Sequence, residues 1–275
     1  MHLKLSPPLK WAGGKRWLVP KLQVIYQHFP HSRLVEPFVG GMSVALGLNP
    51  SSAVLNDANL HLINFYQQIQ SGLAFDLVYS NNEDEFYSAR EKFNQLIAKG
   101  EYNTAEAASL FYYLMRTGFN GLCRFNRSGF YNVPFGRYKT INYQTNFDHY
   151  QQRLSQWQFR CGDFAKITLE DNDFIYMDPP YDVEFTQYSQ VDFKWDDQIR
   201  LLDWVAEVKN PVVISNQATK RIIKAYRSYG FKLYQIAAPR MIACNGDRKA
   251  AMEVFAVKNM PRKVIIYLNK HFEKL

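Results

Sequence analysis

The sequence predicts an α/β fold with a mostly parallel sheet, and three observations carry that prediction. Short apolar runs such as Phe174–Met177 have the length and composition of buried parallel strands. Stretches with helical spacing of apolar residues alternate with these runs. The alternation stops between residues 59 and 144, where helical stretches and a basic, glycine-rich loop replace it. We therefore predict one α/β domain from residues 1–58 and 145–275, with an inserted helical and hairpin domain at 59–144.

Composition narrows the class of protein. The chain has 275 residues, 47% of them apolar, which is typical of a folded domain with a large core. Its net charge of +8 and its 20 Phe and 18 Tyr residues favour a polyanionic partner with exposed bases. Three widely spaced cysteines predict neither a disulfide framework nor a metal site, and they fit a cytoplasmic location. Without a run of 18 apolar residues, we expect no membrane span, and no obligate protein partner is evident.

The first candidate element is the run Lys10-Trp11-Ala12-Gly13-Gly14-Lys15. Paired glycines let backbone approach a ligand, and a ring and a charge flank them. The run is not a P-loop, because Arg16 follows the lysine where that motif has Ser or Thr. It remains open here whether this is a ligand-binding turn or an ordinary surface turn. A helix is predicted next, from Arg16 to about His28.

A strand, a glycine turn and a helix follow, over residues 34–44. This order is typical of the first βα unit of a nucleotide-binding fold, although no complete GxGxxG is present. Ala53–Asp57 is a second strand that ends in an acid. A carboxylate in that position can hold the two hydroxyls of a ribose. The alternative is that Asp57 caps the helix predicted at Leu60–Ile69.

The inserted region combines helices with a recognition-like loop. Beyond the helix at 60–69, helices are predicted at Glu83–Ala98 and Ala105–Thr117, the latter with an apolar stripe that indicates core. Residues 116–139 then hold five basic residues, six aromatics and four glycines, with turn signals at Asn120-Gly121 and Ser128-Gly129. Arginines can read guanine and rings can wedge between base pairs, so the loop is a candidate nucleic-acid surface. A basic, solvated loop is the alternative.

The α/β pattern resumes in the second half. Asp163 and Phe164 follow a short strand and can bracket an adenine ring. The predicted elements are a helix at 147–157, strands at 159–164 and 174–177, a loop at 183–194, a helix at 196–208, a strand at 212–215, a helix at 220–229, a strand at 231–237, a basic loop at 240–249 and a strand at 252–257.

The run Asp178-Pro179-Pro180-Tyr181 organises the prediction of function. It follows a buried strand, and two prolines without N–H groups stop that strand and hold one rigid shape. A carboxylate and an aromatic ring then stand at the carboxyl end of a strand, where open α/β sheets bind ligands. A plain proline turn is the alternative.

Taken together, these runs resemble the DNA adenine-N6 methyltransferases of the Dam type over nearly the whole chain. The motifs that carry the resemblance are residues 10–15, 36–41, 119–124, 132–138, 178–181, 214–216 and Asn245-Gly246. There are two departures: Met42 stands where many members have glycine, and Phe119 stands where tyrosine is common. Neither removes a group that the chemistry needs.

The resemblance implies a Rossmann-like S-adenosylmethionine-dependent methyltransferase sheet with one antiparallel strand, and double-stranded DNA, with GATC as the site, as substrate. It implies S-adenosyl-L-methionine as cofactor, contacted by Trp11, Lys15, Asp57, Asp178, Phe38, Gly40, Asp163 and Phe164. It implies catalytic roles for Asp178, Pro179 and Tyr181. It implies DNA contacts from Lys10, Phe119, Asn120, Leu122, Arg124, Pro134, Arg137 and Tyr138.

The implied chemistry is consistent with the residues. A carboxylate and the Pro179 carbonyl can accept hydrogen bonds from an adenine amino group, and Tyr181 can stack on a flipped base. The three cysteines follow Leu122, Arg160 and Ala243, so none has the Pro-Cys setting of a cytosine-C5 enzyme. Two alternatives stay open: the same fold acting on cytosine N4 or another DNA site, and a DNA-binding module without catalysis.

Overall fold

The computed structural model describes residues 5–73, 80–141, 144–182, 193–239 and 251–275. The strands of its sheet are β1 (Arg33–Glu36), β2 (Ala53–Asp57), β3 (Trp157–Cys161), β4 (Asp173–Met177), β5 (Val212–Gln217), β6 (Lys232–Ala238), β7 (Ala251–Lys258) and β8 (Glu273–Lys274). The helices are α1 (Val19–Tyr26), α2 (Ser43–Leu48), α3 (Leu60–Gln70), α4 (Glu83–Ala98), α5 (Ala105–Thr117), α6 (Asp148–Leu154), α7 (Trp195–Trp204), α8 (Lys220–Ser228) and α9 (Arg262–His271).

The sheet has the strand order β3-β2-β1-β4-β5-β7-β6-β8. From β3 to β5 each strand is parallel to its neighbours, and β7 is inserted antiparallel between β5 and β6. The predicted mostly parallel sheet is therefore confirmed, and β8 adds a two-residue antiparallel strand at the edge. The order reverses between β1 and β4, which is the place where open α/β sheets bind ligands.

The sheet is covered on both faces, as its continuous apolar strands predict. Alternate residues of β4 point to opposite layers: Phe174 and Tyr176 pack toward α1 and the inserted helices, while Ile175 and Met177 pack toward α7 and α8. The period of two in a strand produces this division. As a result, the carboxyl end of β4 is held rigidly from both sides.

The inserted helices begin at side-chain caps and share the core of one sheet face. Asn59, Asn82 and Thr104 cap α3, α4 and α5 by accepting hydrogen bonds from first-turn N–H groups. The bounds predicted for α4 and α5 are those observed, and the apolar stripe of α5 is buried as expected. Because these helices belong to the same buried cluster as β1 and β2, the insert is fixed relative to the sheet.

The loop after α5 folds into a short hairpin. Phe125 bridges Tyr131 across a turn in which the Asn126 side chain accepts from the N–H groups of Ser128 and Phe130. Tyr131 is buried, so part of the loop's aromatic content is core. The predicted hairpin at Ser128-Gly129 is confirmed.

Several predicted bounds differ from the observed ones: β3 ends at Cys161 rather than at 164, and α7 ends at Trp204 rather than at 208. Two other differences have local causes. Helix α1 begins at Val19 rather than Arg16, because a proline is tolerated only in a first turn and Pro20 occupies it. Helix α6 ends at Leu154 because Trp157 pairs with Ala53 as the first residue of β3. The C-terminal pair α9 and β8 was not predicted. The predicted loops at 183–194 and 240–249 lie outside the described residues, except for 193 and 194.

Candidate active site

A cavity of about 460 Å³ opens at the carboxyl ends of β1, β2 and β4. Its walls come from residues 11–15, the turn after β1, the end of β2 with the start of α3, the loop after α5, the end of β4 with the segment that follows it, Phe193, and Glu253 of β7. Trp11, Lys15, Phe38, Gly40, Asp57, Asp178, Pro179 and Tyr181 line it. The strand-end positions predicted from sequence thus meet around one cavity.

Asp178 is held at both carboxylate oxygens. Lys15 Nζ lies 2.9 Å from Asp178 Oδ2, and Ser215 Oγ donates to Asp178 Oδ1 at 2.8 Å. Lys15 is only 4% exposed, which excludes the surface-turn interpretation of its motif. Behind Ser215, the Tyr176 hydroxyl lies 3.1 Å from Ser215 Oγ, so a buried polar chain fixes the Asp178 rotamer.

Tyr181 is oriented by charge and by packing. Lys15 Nζ lies 4.8 Å from the centroid of its ring, a cation–π contact. The Tyr181 hydroxyl faces Glu253 without ordinary hydrogen-bond geometry and has no hydrogen-bond partner among the described residues. Burial raises the pKa of the phenol, which therefore stays protonated.

Two buried acids face the same cavity and were not among the predicted site residues. Burial raises the pKa of Glu36 well above its usual value, and the nearby Asp178 charge adds to this effect. Burial also raises the pKa of Glu253, while the charge of Lys15 opposes it. Glu36 stands inside the cofactor-type motif, so the sequence carried a signal for it. No sequence signal indicated Glu253 on β7, because only the pairing of strands in the sheet brings it beside Asp178.

The glycine turn accommodates Trp11. A Cβ at Gly40 would lie 2.8 Å from the indole nitrogen, and a Cβ at Gly41 would lie 2.8 Å from the Trp11 Cβ. Gly40 also has φ +46. Met42, the first departure from the family pattern, adopts φ 60 at the start of α2. A left-handed residue is required there, which explains why glycine is common and why methionine is strained by roughly 1 kcal/mol.

Asp57 is tied to the glycine turn. Its Oδ2 accepts from Gly40 N at 3.0 Å and its Oδ1 from Asn59 N at 3.0 Å. The cap of α3 is Asn59, so the alternative role of Asp57 as that helix cap is not observed. Burial raises the pKa of Asp57, and the N–H groups of Asn59, Gly40 and Ala58 oppose the shift. The carboxylate faces the cavity with lone pairs to spare.

Asp163 and Phe164 are not among the residues that line the cavity. Asp163 caps a short 3-10 turn and forms an ion pair with Arg200. Phe164 is buried behind Phe38, with ring centroids 5.6 Å apart. Their predicted contact with adenine therefore remains a prediction.

One wall of the cavity belongs to the insert. His61 is buried, stacks on Phe125 at 4.8 Å and 17°, and its Nδ1 has no hydrogen-bond partner in the described ranges. Burial lowers the pKa of His61 to about 4, so the ring is neutral. Burial raises the pKa of the Cys123 thiol to about 12, so this cysteine is no thiolate nucleophile.

The predicted recognition residues lie along one loop. Phe119 is 45% exposed, while its backbone N–H donates to Pro134 O at 2.9 Å. Asn120, next to it, has φ 54, and Leu122 packs against the core. Lys10 reaches this loop from the other side, with Nζ 3.3 Å from the Tyr138 hydroxyl.

Two arginines of the loop, Arg124 and Arg137, differ in setting. Arg124 Nε donates to Asn132 Oδ1 at 2.7 Å and Nη2 donates to Asn132 O at 3.1 Å. These bonds fix the plane of its guanidinium. Arg137 is exposed and pairs with Glu83 at 3.3 Å. A fixed guanidinium suits a base edge, whereas an exposed one suits a phosphate.

The fold and the cavity define an α/β enzyme that binds a nucleotide-type cofactor at the switch point of its sheet. The model of the D12 class N6 adenine-specific DNA methyltransferases matches residues 11–242, and the chain belongs to this family. It is therefore an adenine-specific DNA methyltransferase with S-adenosyl-L-methionine as its cofactor.

Named relatives agree with this assignment. The Retron Ec67 DNA adenine methylase of Escherichia coli is 33% identical over 92% of this chain and 91% of that protein. The DNA adenine methylase of Escherichia coli K12 is 34% identical over 90% of this chain and 94% of that protein. The DNA N-6-adenine-methyltransferase of Escherichia phage P1 is 34% identical over 90% of this chain, which spans only 35% of that longer protein.

The cavity fits the cofactor. Four buried polar atoms without partners among the described residues belong to its lining: Glu36 Oε1, His61 Nδ1, Tyr181 OH and Glu253 Oε2. Unpaired buried polar atoms are costly unless a ligand satisfies them. Acids beside Lys15 and Asp178 suit a ligand that carries both an ammonium and a carboxylate.

Two further structural findings concern the described ranges only. No group of three or more His, Cys, Asp or Glu side chains within them is arranged to hold a metal ion. None of their helices is long and apolar enough to cross a membrane.

Proposed function

We propose that this methyltransferase transfers a methyl group to N6 of a flipped-out adenine in duplex DNA, within GATC. The observation that carries the proposal is the position of Asp178: it lies at the end of β4, on a cavity that the insert helps to close. The resemblance to Dam-type enzymes supports GATC as the site, and the activities named for the relatives support DNA as the substrate.

The catalytic step depends on two acceptors. The adenine amino nitrogen is a poor nucleophile because its lone pair is delocalised into the ring. The Asp178 carboxylate and the Pro179 carbonyl would accept hydrogen bonds from its two N–H groups and return charge to nitrogen in the transition state. S-Adenosyl-L-methionine would supply the methyl group: as N6 gains it, the sulfur–methyl bond breaks, S-adenosylhomocysteine leaves, and the surplus N6 proton is lost to solvent. Ser215 and Lys15 hold the Asp178 carboxylate in place, so little reorganisation is needed during reaction.

The target base would stack on Tyr181. The Tyr181 ring is held by Lys15 on one side and by the two rigid prolines that precede it in the chain. Stacking would offset part of the unpairing cost of a flipped base. The Tyr181 hydroxyl is not required for this role, because it makes no hydrogen bond with the described residues.

The cofactor would be held from three directions. In this proposal Asp57 takes the ribose hydroxyls, and Trp11 and Lys15 lie near the methionine end. Phe38 and Gly40 line that end, and both border the cavity. Asp163 and Phe164 complete the proposed set at the adenine, although they lie beyond the cavity lining.

DNA would be bound by the insert, which we propose as a recognition domain at 59–144. Phe119 would wedge into the stack, and Arg124 would read a guanine of the site. Arg137 would hold a phosphate. Lys10, Asn120, Leu122, Pro134 and Tyr138 complete the proposed contacts. Because DNA is the substrate, the proposed site of action is the cytoplasm of a bacterial host.

Two alternatives differ from this proposal in testable ways. An amino-methyltransferase acting on cytosine N4 is disfavoured by Asp178, where such enzymes usually have serine. A DNA-binding module without catalysis is disfavoured by the joint presence of Trp11, Lys15, Asp57 and Asp178 around one cavity.

The deciding experiment is expression in cells that lack adenine methylation, followed by sequencing that reads modified bases. We expect N6-methyladenine at GATC, and none with Asp178→Asn. Methylation at another sequence, or at cytosine, would replace the proposed specificity. Absence of any modification, together with no heat on calorimetric titration with S-adenosyl-L-methionine, would favour the binding module.

A further inference from the structure

Three buried polar side chains form a network beneath the Asp178–Tyr181 segment. They are Gln198 of α7, Asn216 of β5 and Tyr226 of α8, which are 2%, 0% and 0% exposed. Asn216 Nδ2 donates to Gln198 Oε1 at 3.1 Å and to the Tyr226 hydroxyl at 3.0 Å. The proposed mechanism gives none of the three a task.

The network binds the backbone on both sides of Tyr181. Gln198 Nε2 donates to Pro180 O at 2.8 Å. The Asp182 N–H donates to Asn216 Oδ1 at 3.3 Å. Because Pro179 and Pro180 have no N–H group, this segment has few backbone donors with which to anchor itself. The two amide side chains therefore provide a backbone anchor immediately before and after the ring.

We propose that Gln198 and Asn216 are positioning residues for methyl transfer, which act through Tyr181. This rests on the proposed function, in which the target base stacks on that ring. By fixing Pro180 and Asp182, they hold the Tyr181 ring where the base must stack. Displacement of a reacting group by about 1 Å can lower a rate by roughly 100-fold.

Asn210 provides a matched control. It is also a buried amide that binds two backbone carbonyls, Glu170 O at 2.8 Å and Asp173 O at 3.2 Å. Glu170 precedes β4 and Asp173 is its first residue, so both carbonyls lie at the opposite end of the strand from Asp178. Loss of its side chain removes similar bonds but leaves the Tyr181 segment anchored.

The test compares Gln198→Met with Asn210→Leu. Single-turnover methylation is measured at saturating cofactor and DNA, alongside thermal unfolding and cofactor affinity. We expect Gln198→Met to lower the rate roughly 10- to 100-fold with cofactor affinity within about twofold of wild type. Asn210→Leu should lose similar thermal stability and keep the rate within about twofold. If Gln198→Met does not fold, Gln198→Asn, whose shorter amide cannot span both contacts, is measured in the same way.

A double variant separates positioning from general support. In the Tyr181→Ala background, Gln198→Met should lower the rate little further, because both changes remove the same stacking. The proposal would be overturned if Gln198→Met lowered the rate by the same factor with and without Tyr181→Ala, or if Gln198→Met alone kept the wild-type rate. Neither result would affect the proposed function, as long as the wild-type protein methylates adenine. Failure of the wild-type protein to methylate adenine would instead refute the proposed function.

Discussion

The ammonium of Lys15 lies 2.9 Å from the Asp178 carboxylate, so the N-terminal motif and the segment after β4 form one ion pair. The pair is mostly buried, and Lys15 also donates to Gly13 O at 2.9 Å. One cation therefore joins the glycine run, the carboxylate and the Tyr181 ring. In the proposed mechanism, the cofactor and the target base meet at this ion pair.

Asp178→Asn should lower the rate of methyl transfer at least roughly 100-fold, comparable to the loss of one preorganised transition-state hydrogen bond. The amide has the same shape and keeps an oxygen for Ser215, but it carries no negative charge to pair with Lys15. The measurement is single-turnover methylation of a GATC duplex. Thermal unfolding serves as the control for folding, and turnover near that of wild type would exclude the acceptor role.

Asp57→Ala should weaken cofactor binding far more than DNA binding. Two hydrogen bonds to a charged acceptor would be lost, each contributing roughly 1.5–3 kcal/mol. Titration calorimetry with S-adenosyl-L-methionine measures the effect. Since the carboxylate also receives the N–H groups of Gly40 and Asn59, thermal unfolding is measured in parallel. An unchanged cofactor dissociation constant would leave Asp57 with a structural role only.

Tyr181→Ala should reduce methylation more on a paired adenine than on one opposite a mismatch. Stacking offsets unpairing, and a mismatched base is easier to extrude. Tyr181→Phe is the matched control, because the hydroxyl makes no hydrogen bond with the described residues. We expect it to behave like wild type on both duplexes. Equal losses for Tyr181→Ala on the two duplexes would mean that the ring only packs.

Arg124→Ala should relax specificity at one guanine by about 1–3 kcal/mol, and Asn132→Ala should relax it at the same base pair. The reason is that Asn132 holds the Arg124 guanidinium through two hydrogen bonds. Arg137→Ala should weaken binding to all DNA sequences alike and reduce the slope of log affinity against log salt concentration by about one unit. The assay compares methylation of duplexes that carry each single-base change. If Arg124→Ala lowered the methylation rate of every duplex by the same factor, the loop would bind DNA through charge alone and would not read a base.

His61 should make folding sensitive to acid. Its pKa is about 4 in the folded protein because burial disfavours the charged ring, and about 6.5 when unfolded. The unfolded state therefore binds more protons between these values, so stability falls as pH drops from about 6.5 to 4. The full effect is about 3 kcal/mol.

Urea unfolding at pH 7.5, 5.5 and 4.5 measures this dependence. His61→Phe, which keeps a ring against Phe125, should lose that share of the pH dependence. The exposed His149→Phe should keep it. If the free energy of unfolding depends on pH in the same way for the wild type, His61→Phe and His149→Phe, burial of His61 does not govern acid stability.

Local pattern was sufficient to predict much of the fold. The bounds of β2, α4 and α5 match because alternation, helical spacing and polar caps act within a few residues. The acids at the ends of β2 and β4 were found for the same reason. In a parallel sheet such positions share one edge, so Asp57 and Asp178 were expected at one site and line one cavity.

Contacts distant in sequence were decided only by the tertiary structure. Glu253 reaches the cavity through antiparallel pairing of β7, and Gln198 reaches Pro180 from a helix 18 positions away. Asp163, equally plausible as a strand-end acid, pairs with Arg200 and lies outside the cavity lining. The physical reason is that spacing along the chain determines which face of an element a residue occupies. Which faces come into contact depends on how the elements pack, and the same packing raises the pKa of the buried carboxyl groups.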